Sequence, residues 1–192
     1  MTQELYWDEI FFTVNEPPAE FREVPLELAS ADLHYRGLSG DIEPAKNSPR
    51  IYDYSQTRHD PKWPPMRGKF TRYGDVRELL THWDDKMVIL GAGDELTVAF
   101  RPPVDPPPGW KRDFVWVSDG WTKDGNLNTR FSKTVLPLPA HDLKSYDRPP
   151  GSLADDPVYQ RCPDDWKKYH TRYVTPAVFE RGLRPPRRPD LP

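Results

Sequence analysis

Apolar residues along this chain cluster in short runs of strand-forming types bounded by turn residues, with helical spacing in few places, and that pattern predicts a mainly β fold. Residues 4–14 carry Tyr6, Trp7, Ile10, Phe11, Phe12, Thr13 and Val14, residue types that suit a pleated surface, and read as a strand. Residues 21–28 read as a second, weaker strand that Pro25 confines to a sheet edge, and Ala31–Arg36 as a third. Residues 39–69 carry Pro44, Pro49, Pro61, Pro64 and Pro65 amid scattered charge and read as a long irregular insertion. The helical period surfaces at 75–83. Val76, Leu79, Leu80 and Trp83 share one face there, with Asp75 as N-cap and Glu78 completing a capping box.

Strands are expected next at Lys86–Leu90 and Leu96–Arg101, joined as a hairpin through Gly91-Ala-Gly-Asp-Glu95. Pro102–Gly109 is a stiff connector. Arg112–Ser118 contains Phe-Val-Trp-Val, an unbroken apolar run expected of a central strand, and Phe131–Leu136 reads as the last strand. Beyond Pro137, Asp155 and Asp156 ahead of Pro157 signal a helix, Asp164 and Asp165 cap another, and Pro176 starts a third that ends at Gly182. The expected architecture is a β-sandwich-like domain of about seven strands over residues 1–136, with one short helix and the insertion at 39–69. A Pro-rich, partly helical extension with a basic tail follows over 137–192.

Composition sharpens this outline. The chain has 192 residues, enough for one domain with a real core. Proline, at 24 residues, is well above its usual share, so stiff arms are expected. Seven Trp, nine Tyr and eight Phe compensate for scarce aliphatics, since each ring buries roughly 150–250 Å². A net charge of −3 supplies no basic face for phosphates and argues against nucleic acid as a partner. The lone Cys162 excludes an intrachain disulfide framework, and no apolar run approaches a membrane span. Met1 to Ile10 shows no secretory signal, which leaves a cytoplasmic location open.

Three segments carry a resemblance: Ala31-Asp-Leu-His-Tyr-Arg-Gly-Leu-Ser39, Phe70-Thr-Arg-Tyr-Gly-Asp-Val-Arg-Glu-Leu-Leu80, and Gly109-Trp-Lys-Arg-Asp-Phe114 running into Ser118-Asp-Gly-Trp-Thr-Lys-Asp124. Leu136-Pro-Leu-Pro-Ala-His141 continues it. Over about residues 25–175 the chain resembles the C-terminal region of large bacterial FG-GAP repeat proteins that carry ASPIC-type (CRTAC-like) domains, here as a stand-alone module. The resemblance implies a β-rich accessory module on an exported protein, hence an extracytoplasmic or periplasmic face, and brings no catalytic residues with it.

Candidate chemistry is sparse. Gly91-Ala-Gly93 lacks the third glycine and following helix of a dinucleotide loop, and Asp94 and Glu95 repel phosphate. Asp119, Asp124, Asn126 and Asn128 form a weak calcium candidate set. The last three have the alternating spacing of oxygen ligands, but the rest of an EF-hand is missing, and an Asx-rich turn is the favoured explanation. No other cofactor is expected. The five histidines, His34, His59, His82, His141 and His170, show no ligand spacing, and Cys162 is followed by Pro163 with no oxyanion motif nearby.

The function these features favour is non-catalytic. They suit an accessory subunit that binds and stabilises a larger protein assembly through arms at 43–69, 102–110 and 176–192, a respiratory or photosynthetic membrane complex being one such assembly. The residues expected at partner contacts are Tyr52, Tyr54, Trp63, Met66, Trp110, Trp166, Arg184, Arg187 and Arg188. The three arginines also suit lipid head groups. Two alternatives stand beside it: a carbohydrate-binding module using exposed Trp, and, ranked last, an enzyme whose pocket gathers His141, Asp119 or Asp124.

Overall fold

The computed structural model describes residues 12–15, 17, 20–42, 51–58, 66–123, 131–138 and 152–177. Among them the fold is mainly β: seven strands in three small antiparallel sheets, with two short α-helices. The strands are β1 (Leu28–Tyr35), β2 (Leu38–Ile42), β3 (Ile51–Arg58), β4 (Gly68–Phe70), β5 (Gly74–Asp75), β6 (Asp94–Phe100) and β7 (Arg172–Val174). The helices are α1 (Pro157–Arg161) and α2 (Pro163–Lys168).

The central sheet has the order β5-β1-β6. Its register places Leu33 opposite Leu96 and Ala31 opposite Val98. The two-residue period of β1 thus puts Ala31 and Leu33 on the buried face, where they meet Val76, Leu79 and Tyr169, with Leu96 and Val98 packed alongside. A second cluster gathers Phe70, Ile89, Val135, Leu138 and Trp166. Both clusters draw on residues from either side of position 136, and β7 pairs with β4. The segment from 152 to 174 is therefore part of the core and not an appended extension; the expected boundary at 136/137 does not coincide with a gap in packing.

Several expectations change. The strand at 4–14 falls mostly outside the described residues, and 12–14 form none. Residues 21–27 form no strand; Phe21 and Val24 are exposed, and Pro25 has no N–H to give a ladder. The insertion at 39–69 is not irregular throughout, because the proline-free stretch Ile51–Arg58 pairs with β2 to make a two-stranded hairpin, and β4 follows. The helix expected over 75–83 is a single 3-10 turn at Arg77–Leu79. Asp75 is already committed to β5, and its side chain accepts from the Arg77 N–H at 2.9 Å. Glu78 turns away to Lys168 and Tyr169, so no capping box forms. With one turn, the i+7 position cannot reach the core, and Trp83 is 80% exposed.

Residues 86–90 are not a strand. Ile89 is held by Thr71 instead, its carbonyl accepting the Thr71 N–H at 2.9 Å, and β6 takes β1 as its partner. Residues 112–118 join no sheet, and 131–136 is a turn with one parallel bridge between Thr134 and Arg67. The helix signals at 155–157 and 163–165 do mark helices. Asp156 accepts from the N–H groups of Val158 and Tyr159, and α2 starts at Pro163 with Asp164 and Asp165 in its first turn. The backbone turns helical again at 176–177, beyond which the expected end at Gly182 lies outside the described residues. No helix among the described residues is long and apolar enough to cross a membrane.

Candidate functional site

A densely bonded and buried polar group is Asp94, at the start of β6, with its side chain only 1% exposed. Oδ2 accepts from the Gly91 N–H at 2.7 Å and from Arg172 Nη2 at 2.5 Å; Oδ1 accepts from the Tyr73 hydroxyl at 2.8 Å. Arg172 stacks on the Tyr73 ring at 4.3 Å and the Phe70 ring at 5.3 Å, and its Nε donates to the Thr71 carbonyl at 3.0 Å. Burial first, and the Asp94 charge second, push the Tyr35 hydroxyl above its ordinary range; Tyr73 is pushed up by burial and by its bond to Asp94. The Tyr35 ring lies over Gly93, whose φ of +83° suits glycine and where a Cβ would stand 2.6 Å from Tyr35 Cε2. Both Asp94 oxygens are taken by donors of the chain itself, so the group acts as a clasp joining β6, β7 and the turn between β4 and β5.

A second buried polar pair sits behind it. Thr71 Oγ1 accepts from the Ile89 N–H at 2.7 Å and lies 3.0 Å from His170 Nδ1. The imidazole packs edge-on against Trp166, centroids 4.5 Å apart. Burial lowers the His170 pKa to about 4, so the ring is neutral at physiological pH. Lys123 donates to the carbonyls of Val135 (3.1 Å) and Pro137 (2.9 Å), and burial lowers its ammonium to about 8. Burial, then Asp165, Asp85 and Asp84, push the Cys162 thiol up, which disfavours the nucleophilic thiolate. Among the described residues no group of three or more His, Cys, Asp or Glu is placed to hold a metal ion. Asp119 is exposed on an irregular segment; Asp124, Asn126 and Asn128 lie outside the described residues.

The expected contact residues separate into three groups. Tyr52 and Tyr54 are exposed on β3, ring centroids 6.4 Å apart, and Trp110 is partly exposed after the turn at Pro107. Met66 packs against the second core cluster, and Trp166 lies inside it, its ring edge-on to Tyr159 at 6.0 Å. Trp166 is thus a core residue and not an offered contact, because α2 turns it inward against Phe70 and Val135. Trp63, Arg184, Arg187 and Arg188 fall outside the described residues.

Two surfaces stand out. The β2–β3 hairpin exposes Ile42, Ile51, Tyr52 and Tyr54, the last at 72%. Arg36 anchors its base, donating to Ser39 Oγ at 3.0 Å and to the Tyr54 carbonyl. The second surface was expected to be a buried strand. Phe114, Val115, Trp116 and Val117 are 70, 86, 65 and 66% exposed, and Trp121 is exposed beside them. Among the described residues, the backbone from 111 to 123 makes no hydrogen bond with another backbone group. Trp116 meets the last residue of β6, its ring edge-on to Phe100 at 5.7 Å. The signal in the sequence lay in the flanks: five prolines stiffen the chain before Trp110, and Asp119-Gly120 ends the run with a turn pair.

Compared with models of known families, with curated proteins and with solved structures, the chain matches none.

Proposed function

We propose that this chain is a non-catalytic accessory module that binds and stabilises a larger protein assembly through exposed, aromatic-bearing arms. The observation that carries this is the β2–β3 hairpin. A two-stranded hairpin alone is marginal in water, yet here one stands with Ile42, Ile51, Tyr52 and Tyr54 exposed and no third strand among the described residues. Docking on a partner would cover those side chains, and paired tyrosines are the residue type that anchors protein interfaces. The proline-flanked run at 110–121 offers a second contact of the same kind. The resemblance to an accessory region of FG-GAP repeat proteins is compatible with that role.

The test is to isolate the chain from its source under gentle conditions and measure its mass by light scattering, with mass spectrometry of what accompanies it. The expected result is a complex of defined stoichiometry that the Tyr52→Ala, Tyr54→Ala double variant fails to join while melting as the parent does. A chain that runs alone near 22.4 kDa overturns the assignment. One observation favours a carbohydrate-binding alternative: Trp116 and Trp121 are both exposed within one short segment, as sugar-stacking rings must be. Saturable glycan binding lost in Trp121→Ala would select it.

A further inference from the structure

The exposed run has a self-complementary sequence. Two copies of a segment can pair as antiparallel strands about a two-fold axis only if the axis passes midway between a residue and its own counterpart, since the two-folds of an antiparallel ladder run through directly opposed pairs. Within Phe114–Val117 the central choices are Val115 and Trp116. A ladder centred on Trp116 sets Asp113 against Asp119, like charges directly opposed. A ladder centred on Val115 sets Lys111 against Asp119, Phe114 against Trp116, and Trp110 against Gly120.

Those three pairs are favourable; the register also sets Arg112 against Ser118 and Asp113 against Val117, which oppose no like charges. Lys111 and Asp119 have no ion-pair partner among the described residues and stay available. Phe114 and Trp116 are exposed, and their pairing puts four rings of the two copies on one face. An aromatic ring across from a strand glycine covers the bare backbone there, and a Cβ at Gly120 would meet nothing within 4 Å. Gly109, at φ +87°, turns the chain away just before Trp110 and sets the length of the ladder. The ladder would also satisfy backbone groups that find no backbone partner among the described residues of one copy.

We propose that residues 110–120 add strand to strand with a second copy of this chain, antiparallel and centred on Val115, making the module a two-fold dimer. This rests on the run being a contact surface, as assigned above, and leaves the β2–β3 hairpins of both copies for the assembly. Four rings at roughly 150–250 Å² each place the interface near the lower limit for stable association, so the dimer is concentration-dependent.

The experiment is light scattering of the full chain across a wide range of concentration, with charge reversal. The wild type is expected to move from the mass of one chain to that of two as concentration rises. Lys111→Asp and Asp119→Lys each weaken association about tenfold, because each dimer holds the pair twice, and the double variant restores it. In a Cys162→Ser background, mild oxidation is expected to cross-link Val115→Cys in preference to Trp116→Cys. A single-chain mass at every concentration, a double variant that fails to restore pairing, or dominant cross-linking at 116 overturns the proposal. A monomer that still enters its assembly removes the dimer and leaves the accessory role standing; a dimer that enters no assembly does the reverse.

Discussion

Replacing Asp94 by Ala removes one acceptor group from three donors at once: the Gly91 N–H, the Tyr73 hydroxyl and the Arg172 guanidinium. Breaking one side of a buried ion pair costs about 3–5 kcal/mol. The Arg172 side chain is 22% exposed and can recover some hydration, which lowers the estimate to about 3 kcal/mol. For a chain of this size that corresponds to a fall in Tm of about 6–12 °C. Urea unfolding followed by tryptophan fluorescence and far-UV circular dichroism at neutral pH measures it, provided the two transitions coincide. Asp94→Asn keeps one acceptor oxygen but sets an amide among donors, and is expected to lose somewhat less. The cycle with Arg172→Met, which keeps the stem packed between Phe70 and Tyr73, is expected to show a coupling of about 1–2 kcal/mol. A loss under about 1 kcal/mol for Asp94→Ala, or additive single losses in the cycle, would refute the clasp as a coupled unit.

Two further predictions concern neighbouring features. His170 has its pKa lowered to about 4 against an unfolded value near 6.5, so between those pH values the unfolded chain binds the extra proton. Stability is expected to be full above pH ~6.5 and to decline by about 3 kcal/mol as pH falls to ~4, a slope that urea titrations at successive pH values should show in the parent and not in His170→Gln. Gly93→Ala forces a side chain into a left-handed turn and against the Tyr35 ring, and a loss of about 1–3 kcal/mol is expected, read as a shift in the urea midpoint with the slope unchanged.

What the sequence made legible was what local chemistry decides. Asp156 ahead of Pro157 starts a helix because its carboxylate reaches N–H groups two and three residues on, and no distant partner is needed. The alternation of Leu96 and Val98 with Thr97 marked β6 as a strand because one face of it is buried whatever its neighbours, but its partner is β1 and not the expected Lys86–Leu90. The failures arose where distant residues decide. Glu78 had the spacing of a capping box but sits beside Lys168 and Tyr169, ninety residues away, and they take its carboxylate. Asp94 read as a turn residue because Arg172, 78 positions later, gives it its role. Phe114–Val117 had the composition of a core strand, and composition alone does not reveal that the run lies exposed, away from the core.

The bond between Thr71 and His170 spans 99 positions, and β4 waits slightly longer for β7. A ribosome adding about 5–20 residues per second needs roughly 5–20 s to bridge that gap. Until then Phe70 and Ile89 have no Trp166 to pack against, and Thr71 has no imidazole. The nascent chain therefore carries an open apolar surface for seconds during every round of synthesis. Early termination anywhere before residue 166 would leave it permanently exposed. Substitutions in α2 should accordingly affect soluble yield in cells more than their equilibrium cost in the finished protein suggests, and helper proteins that bind exposed apolar chain would be expected to associate with this one mainly before its last third is made.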